Sequence, residues 1–281
     1  MLLTPAMAAT PQYFREKRDI AMGLAVAGSS IGGVIFPIAL GVLIRNERFG
    51  YGWAVRINAF MALGLLAVAC IAIKPRLAAR NTRFLKLEAF RDMSYVLMCI
   101  TAFVPFLAQF QPFFFVPTYA LQRGMSERMA AYLVPIINAA SFPGRVIPAL
   151  LSKRIGRFNV LLYACMSSGV VVFCWPLSHS NVAIIVWSAI YGFTSGALTS
   201  GMSVAFTGSA RDPKDYGTYI GMGLTIASVG VLLGPPISGA LYSKYHGFEQ
   251  VSVLTGALML SGGVLVLFIK ILSGHRLFSA S

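Results

Sequence analysis

Residues 131–160 read AYLVPIINAASFPGRVIPALLSKRIGRFNV, and well inside this apolar run sits a single charge, Arg145. Asn138, Ser141 and Arg145 are spaced by three and then four residues, so a helix carries them as one polar stripe on an apolar rod. The run breaks at Lys153, Arg154 and Arg157, cations that water or anionic headgroups must solvate. A stretch of this length, apolar at its centre and basic at its end, predicts a membrane-spanning helix with one polar face.

The rest of the chain is built the same way. Of its 281 residues 57% are hydrophobic and 11% charged, and the mean hydropathy is +0.74. A soluble domain cannot face water with so few charges, so this is an integral membrane protein. The apolar runs last about twenty residues and lack the ten-residue alternation of a barrel strand, which makes the fold class all-α. A net charge of +14 suits nucleic acid only when the basic residues gather on a soluble face. Here they fall in short loops between apolar runs, which argues against a nucleic-acid partner and for the positive-inside rule. Cys70, Cys99, Cys165 and Cys174 all lie in apolar runs without metal-ligand spacing and read as packing residues.

In chain order, residues 1–12 are too short to span and lack the features of a signal peptide. They read as the last turns of a helix whose beginning is absent. Eight spans follow, at about 20–44, 53–73, 93–120, 129–151, 160–177, 182–206, 217–242 and 251–272. The first is crowded with small residues, and the four-residue spacing of Gly28 and Gly32 predicts close approach of a neighbouring helix on a span packed rather than bathed in lipid. Pro105, Pro112 and Pro117 predict kinks beside a cavity in the third span, where Gln109 and Gln111 cannot both face the same way. Residues 74–92 form the longest polar segment and read as a cytoplasmic linker. The chain therefore divides into 1–73, ending one group of helices, and 93–281, a second group of six.

Charge counting orients these spans. If residues 13–19 are cytoplasmic, the inside set is Arg15, Lys17, Arg18, Lys74, Arg76, Arg80, Arg83, Lys86, Arg91, Lys153, Arg154, Arg157, Arg211, Lys214, Lys270 and Arg276. The outside set is Arg45, Arg48, Arg56, Arg123, Arg128 and Lys244; with Arg145 these make up all 23 lysines and arginines. The inside excess places the C-terminus in the cytoplasm. At an offset of 200, Ile20, Met22, Gly23, Leu24 and Ala27 recur as Ile220, Met222, Gly223, Leu224 and Ala227, a weak repeat of the kind that related transporter halves leave.

The segments QYFREKRDIAMGLAVAGSSIGGVIFP, FGYGWAVRINAF, SFPGRVIPALLSKRIGRFN and YGTYIGMGLTIASVGVLLGPPISGAL lie in that order along nearly the whole chain. In them the chain resembles the major facilitator superfamily, and within it the fungal monocarboxylate-transporter-like branch. The resemblance implies a twelve-helix fold in two halves around a cavity that opens alternately to each side. On that template the eight spans are the fifth to the twelfth, with the first four helices lacking. It implies a multi-pass protein of the plasma membrane that needs no cofactor, and no HExxH pair, intramembrane aspartate pair or nucleophile with a base is visible in the sequence to suggest an enzyme. Its cargo would be a small organic solute such as a monocarboxylate, vitamin or secondary metabolite. A coupling proton stays open, but coupling through an acid–arginine pair is not supported. Lys153 stands where relatives carry an aspartate, Ser141 stands where animal members carry an acid, and no Asp or Glu lies in mid-span.

The candidate substrate-binding or gating residues are Arg145, Asn138, Ser141, Gln109 and Tyr191. Arg145 reads as a contact for an anionic solute, against the alternative that it snorkels toward the loop eight residues, about 12 Å, away. Asn138 and Ser141 share its face, where hydrogen bonding between helices is their expected role. Tyr119 and Tyr191 read as interfacial anchors before cavity-lining residues. His179, His246 and His275 fall in loops or the tail and form no metal set. The alternative to a transporter is a transport-incompetent remnant or membrane interaction partner.

Overall fold

The computed structural model describes residues 18–46, 50–73, 86–209 and 215–272, together with residues 7, 9, 10, 13 and 14. Of the expected loop cations, Arg15, Lys17, Arg48, Lys74, Arg76, Arg80, Arg83, Arg211, Lys214 and Arg276 lie outside the described residues, as does His275. Within them the chain is helical: α1 Arg18–Arg45, α2 Gly50–Ala72, α3 Met93–Gln109, α4 Gln111–Gln122, α5 Glu127–Ile155, α6 Arg157–Phe173, α7 Asn181–Ser209, α8 Tyr216–Tyr245 and α9 Glu249–Leu272. With α3 and α4 counted as one span of two segments, eight are long and apolar enough to cross a membrane.

Local chemistry sets the helix ends. Asp92 caps α3 by accepting from the Ser94 amide at 3.0 Å, and Ser126 caps α5 by accepting from the Met129 amide at 3.4 Å. Gly156, at φ 91, turns the chain between α5 and α6 in a conformation that side-chain-bearing residues avoid. In the third span the helix breaks at Phe110, between the two glutamines, with Pro112 in the first turn of α4. The expected interruption is present, although Pro105 and Pro117 lie within helical segments. The break works because Pro112 has no amide hydrogen to satisfy in the first turn.

From α3 onward the helices pack in a ring, α7 on α6, α6 on α9, α9 on α3, α3 on α8 and α8 back on α7, with α5 laid on α7 as well. They bury two cores. One gathers Tyr95, Met98, Phe106, Leu161, Leu198 and Phe206, and the other Tyr119, Leu133, Trp175, Trp187, Tyr191 and Phe248. Met22, Ile220, Met222 and Ala227, four members of the offset repeat, all enter the first core.

The first two helices are held differently. α1 lies along α5, and α2 packs on α1 with Ala54 as its only buried residue. The first span is packed against other helices, as expected, but along part of its surface only: Leu24, Ile31, Ile35 and Val42 are exposed within this chain. Gly28 and Gly32 are not the points of close approach. Space is open around Gly28, and Gly32 meets only Phe36 of its own helix. Gly23 and Gly33 face α5 instead, because they share the stripe of Val26 and Ser30.

Candidate solute-binding site

Asp19, Gly23, Val26, Ser30 and Gly33 recur at four- and three-residue steps on α1, and Asn138, Ser141, Arg145, Ala149 and Ser152 do so on α5. Each set makes one face of a helix, and the two faces meet antiparallel. From one end to the other, Asp19 pairs with Ser152, Gly23 with Ala149, Val26 with Arg145, Ser30 with Ser141 and Gly33 with Asn138. A Cβ on Gly23 would lie 2.5 Å from that of Ala149 and 2.9 Å from the Arg145 carbonyl oxygen, so only glycine lets the backbones come this close.

Arg145 is the centre of this seam. Its Nη1 donates to the Val26 carbonyl oxygen at 2.8 Å and to Ser29 Oγ, and Ser29 Oγ donates to the same Val26 oxygen at 2.9 Å. Its Nε is buried without a hydrogen-bond partner. The ion pairs among the described residues are Lys86 with Asp215 and Arg157 with Asp19, so no carboxylate there compensates Arg145. The guanidinium therefore reaches across to α1 instead of snorkelling, and is held by neutral oxygens alone. An unneutralised charge at this depth is costly, and two neutral acceptors offset only part of that cost.

The neighbours on the stripe take different roles. Ser141 Oγ donates to the Asn138 carbonyl at 2.7 Å, and its one hydrogen is then spent. In the 2.8 Å bond between the two hydroxyls Ser30 must therefore be the donor, and this is the interhelical bond expected of Ser141. Asn138 makes no such bond: its Nδ2 donates to Val134 of its own helix at 3.0 Å, and its amide packs where a Cβ on Gly33 would be.

Gln109 and Tyr191 lie elsewhere, in the body of six spans. Gln109 Nε2 donates to Thr199 Oγ1 at 2.5 Å and to the Ser195 carbonyl at 3.2 Å, both on α7. Tyr191 donates its hydroxyl to the Gln109 carbonyl at 2.5 Å, satisfying an acceptor that the helix break at Phe110 frees. Its ring is fully buried and stacked on Trp187 at 5.3 Å. Tyr191 is thus neither an interfacial anchor nor a cavity-lining residue in this conformation, because an aromatic ring with its hydroxyl satisfied belongs in the core. Tyr119 is placed likewise, donating to the Ser178 carbonyl at 2.9 Å. Gln111 turns from Gln109 toward α8, its Nε2 against Gly234.

Four polar contacts escaped the sequence reading. Asp19 Oδ2 accepts from Arg157 Nε at 2.9 Å and from Ser152 Oγ at 3.1 Å, tying α1 to α5 and α6 at one end of the seam. Lys86 and Asp215 pair at 2.6 Å. Lys270, counted among the loop cations, is buried and donates to Asn159 Oδ1 at 2.5 Å. At the other end of the seam, beyond Gly33, α1 and α5 line a shallow groove with room for about a water molecule, between Pro37, Val42, Arg45, Ala131 and Tyr132.

A bundle of eight apolar spans with a polar seam at mid-span defines a polytopic membrane protein. A model of the Major Facilitator Superfamily matches residues 1–181 and 166–277, and the chain belongs to that family, one of transporters and not enzymes. It is 44% identical over 271 residues to the Aspyridones efflux protein apdF of Emericella nidulans, covering 96% of this chain and 55% of that protein. It is 37% identical over 272 residues to the Agnestins efflux protein AgnL12 of Paecilomyces divaricatus, covering 96% and 62%. The chain thus spans between half and two thirds of the length of these relatives. Among solved structures it resembles the transporter FucP in the outward conformation, with TM-score 0.72, 14% identity and coverage of 95% of this chain and 72% of that one. It also resembles the human organic anion transporter MFSD10 (TETRAN), with TM-score 0.73, 15% identity and coverage of 94% and 67%.

Proposed function

We propose that this chain serves a secondary transporter that exports a small organic acid of the secondary-metabolite kind by alternating access. The carrying observation is Arg145, a guanidinium within a span that no carboxylate among the described residues neutralises. A carboxylate on the solute would supply the missing charge and could engage the fork of N–H groups bidentately. The direction follows the relatives, whose names speak of efflux of aspyridones and agnestins. Those names favour metabolite export over the monocarboxylate uptake that the sequence resemblance also allowed.

Alternating access needs an interface that can close at either end. We read α1 and α2 as the end of one half and α3 to α9 as the other half, with the α1–α5 seam between them. With residues 13–19 in the cytoplasm, the seam is latched inside by Asp19 and Arg157 and ends outside at the Pro37 groove. The protein sits in the plasma membrane with its C-terminus inside, and any coupling proton binds somewhere other than an acid beside Arg145.

The test is flux from proteoliposomes containing the 281-residue chain, with an aryl carboxylate and its uncharged amide as paired solutes. Arg145→Gln should lower carboxylate flux at least ten-fold, the factor of one hydrogen bond between charged groups, and leave amide flux alone. Equal flux and affinity in the variant would remove Arg145 from the mechanism.

A further inference from the structure

Both groups that hold Arg145 Nη1 are oxygen acceptors on α1, the Val26 carbonyl and the Ser29 hydroxyl. A carboxylate offers the same kind of acceptor with a full negative charge, so it makes the stronger partner for the same N–H groups. The solute's acid group and α1 are therefore rivals for one guanidinium. We infer that Ser29 is the positioning residue of the Arg145 site: with the Val26 carbonyl it holds the guanidinium on α1 until the solute's acid group takes their place, so that loading Arg145 and releasing α1 are one event. This rests on the reading of Arg145 as an anion anchor.

Three features of the seam fit such an exchange. Ser29 is exposed and Gly28 beside it has open space, so an incoming group can reach the contact. The other mid-seam contacts are neutral, Gly23 on Ala149, Ser30 on Ser141 and Gly33 on Asn138, and they part without stranding a buried charge. The charged contact of the seam, Asp19 with Arg157, lies at its far end and can stay closed as a pivot while the middle opens. When the acid group leaves, Arg145 returns to α1 and the seam recloses.

The inference predicts a sign. Removing an internal competitor raises the apparent affinity of the ligand it competes with. Ser29→Ala should therefore bind a carboxylate more tightly, whereas a serine that itself bound solute would bind it more weakly when lost.

The test uses the 281-residue chain in lipid nanodiscs carrying Ser30→Cys and Ser141→Cys, positions whose hydroxyl oxygens stand 2.8 Å apart. The rate of disulfide formation under a fixed concentration of added diamide, which takes up the two electrons and two protons of the thiol pair, is followed for this pair by peptide mass spectrometry and reads how long the seam is closed. Without ligand, Arg145→Gln should slow the rate about ten-fold and Ser29→Ala several-fold, while Ser228→Ala, an exposed serine on α8, leaves it unchanged. Benzoate should slow the rate in the parent but not in Arg145→Gln, and benzamide in neither. In Ser29→Ala the half-effective benzoate concentration should fall. A ligand-free rate insensitive to both substitutions overturns the inference, as does a half-effective concentration that rises or stays the same in Ser29→Ala while benzoate still depends on Arg145. Ligand-free slowing with no response to benzoate overturns the anion reading and the exchange together, leaving Arg145 a fixed clasp.

Discussion

The two faces of α5 are made of different materials. Toward α1 it presents side chains: Ser141, Arg145 and Ser152 reach hydroxyls, a carbonyl and a carboxylate, and Asn138 packs on Gly33. Toward α7 it brings its backbone itself into contact at three glycines. A Cβ on Gly144 would collide with the Phe193 carbonyl, one on Gly192 with that of Ile137, and one on Gly196 would lie 2.5 Å from the Ser141 carbonyl oxygen. Backbone against backbone admits nothing between the helices and loses dispersion contacts steeply with distance, so that contact suits a permanent joint. Hydroxyls and a guanidinium can trade one partner for water or solute at little cost, so the α1 face suits a contact that opens and recloses.

The sharpest way to break this contrast is on the permanent side. Gly144→Ala should force α5 and α7 apart along a joint that cannot yield by rotating a side chain. Its cost should be about 3 kcal/mol or more, near the upper end for overpacked sites, seen as a lowered midpoint of thermal unfolding in detergent. A change below about 1 kcal/mol would show that this joint is as adaptable as the other.

On the α1 side the largest effect is expected at the latch. Asp19→Asn leaves Arg157 without its anion, and breaking a buried pair costs roughly 3–5 kcal/mol. Asp19 is 6% exposed but Arg157 is 32% exposed, so water takes up much of the loss and about 2 kcal/mol is expected. Thermal unfolding of the variant measures it, and Arg157→Lys, which keeps the charge but not the planar fork, should lose less.

The seam also marks how far the amino-acid order could be read. Eight spans follow from composition, because a membrane demands long uncharged runs and little else. The stripe of Asn138, Ser141 and Arg145 was visible from local spacing, which needs only one helix. The partners on α1 were not, since Asp19 and Arg157 are 138 residues apart and Ser30 and Ser141 are 111 apart. No local pattern records such pairs. Gly28 and Gly32 had the spacing of a contact motif and Gly23 and Gly33 did not, yet the latter two meet α5. The stripe is set by the direction a residue faces, which spacing alone leaves open. Tyr191 and Gln109 misled in the opposite sense. Polar groups in mid-span suggest a cavity, but here the Tyr191 hydroxyl is spent on the Gln109 backbone carbonyl and the Gln109 amide nitrogen on Ser195 and Thr199 of α7.

The smallest expected effect discriminates most finely between the two faces. Ser30 and Ser141 form the one direct bond between side-chain hydroxyls across the seam among the described residues, at 2.8 Å. If that bond were adhesive, a double-mutant cycle of Ser30→Ala and Ser141→Ala would show coupling near the upper values known for membrane helices, about 1.7 kcal/mol. A contact meant to reopen should couple weakly, at about 0.6 kcal/mol or less, because each hydroxyl can fall back on a carbonyl of its own helix. Ser141 already donates to Asn138, and Ser29 shows the same fallback onto Val26. Coupling measured by thermal unfolding near the larger figure would make the α1 face a second permanent joint and remove the distinction on which its opening depends.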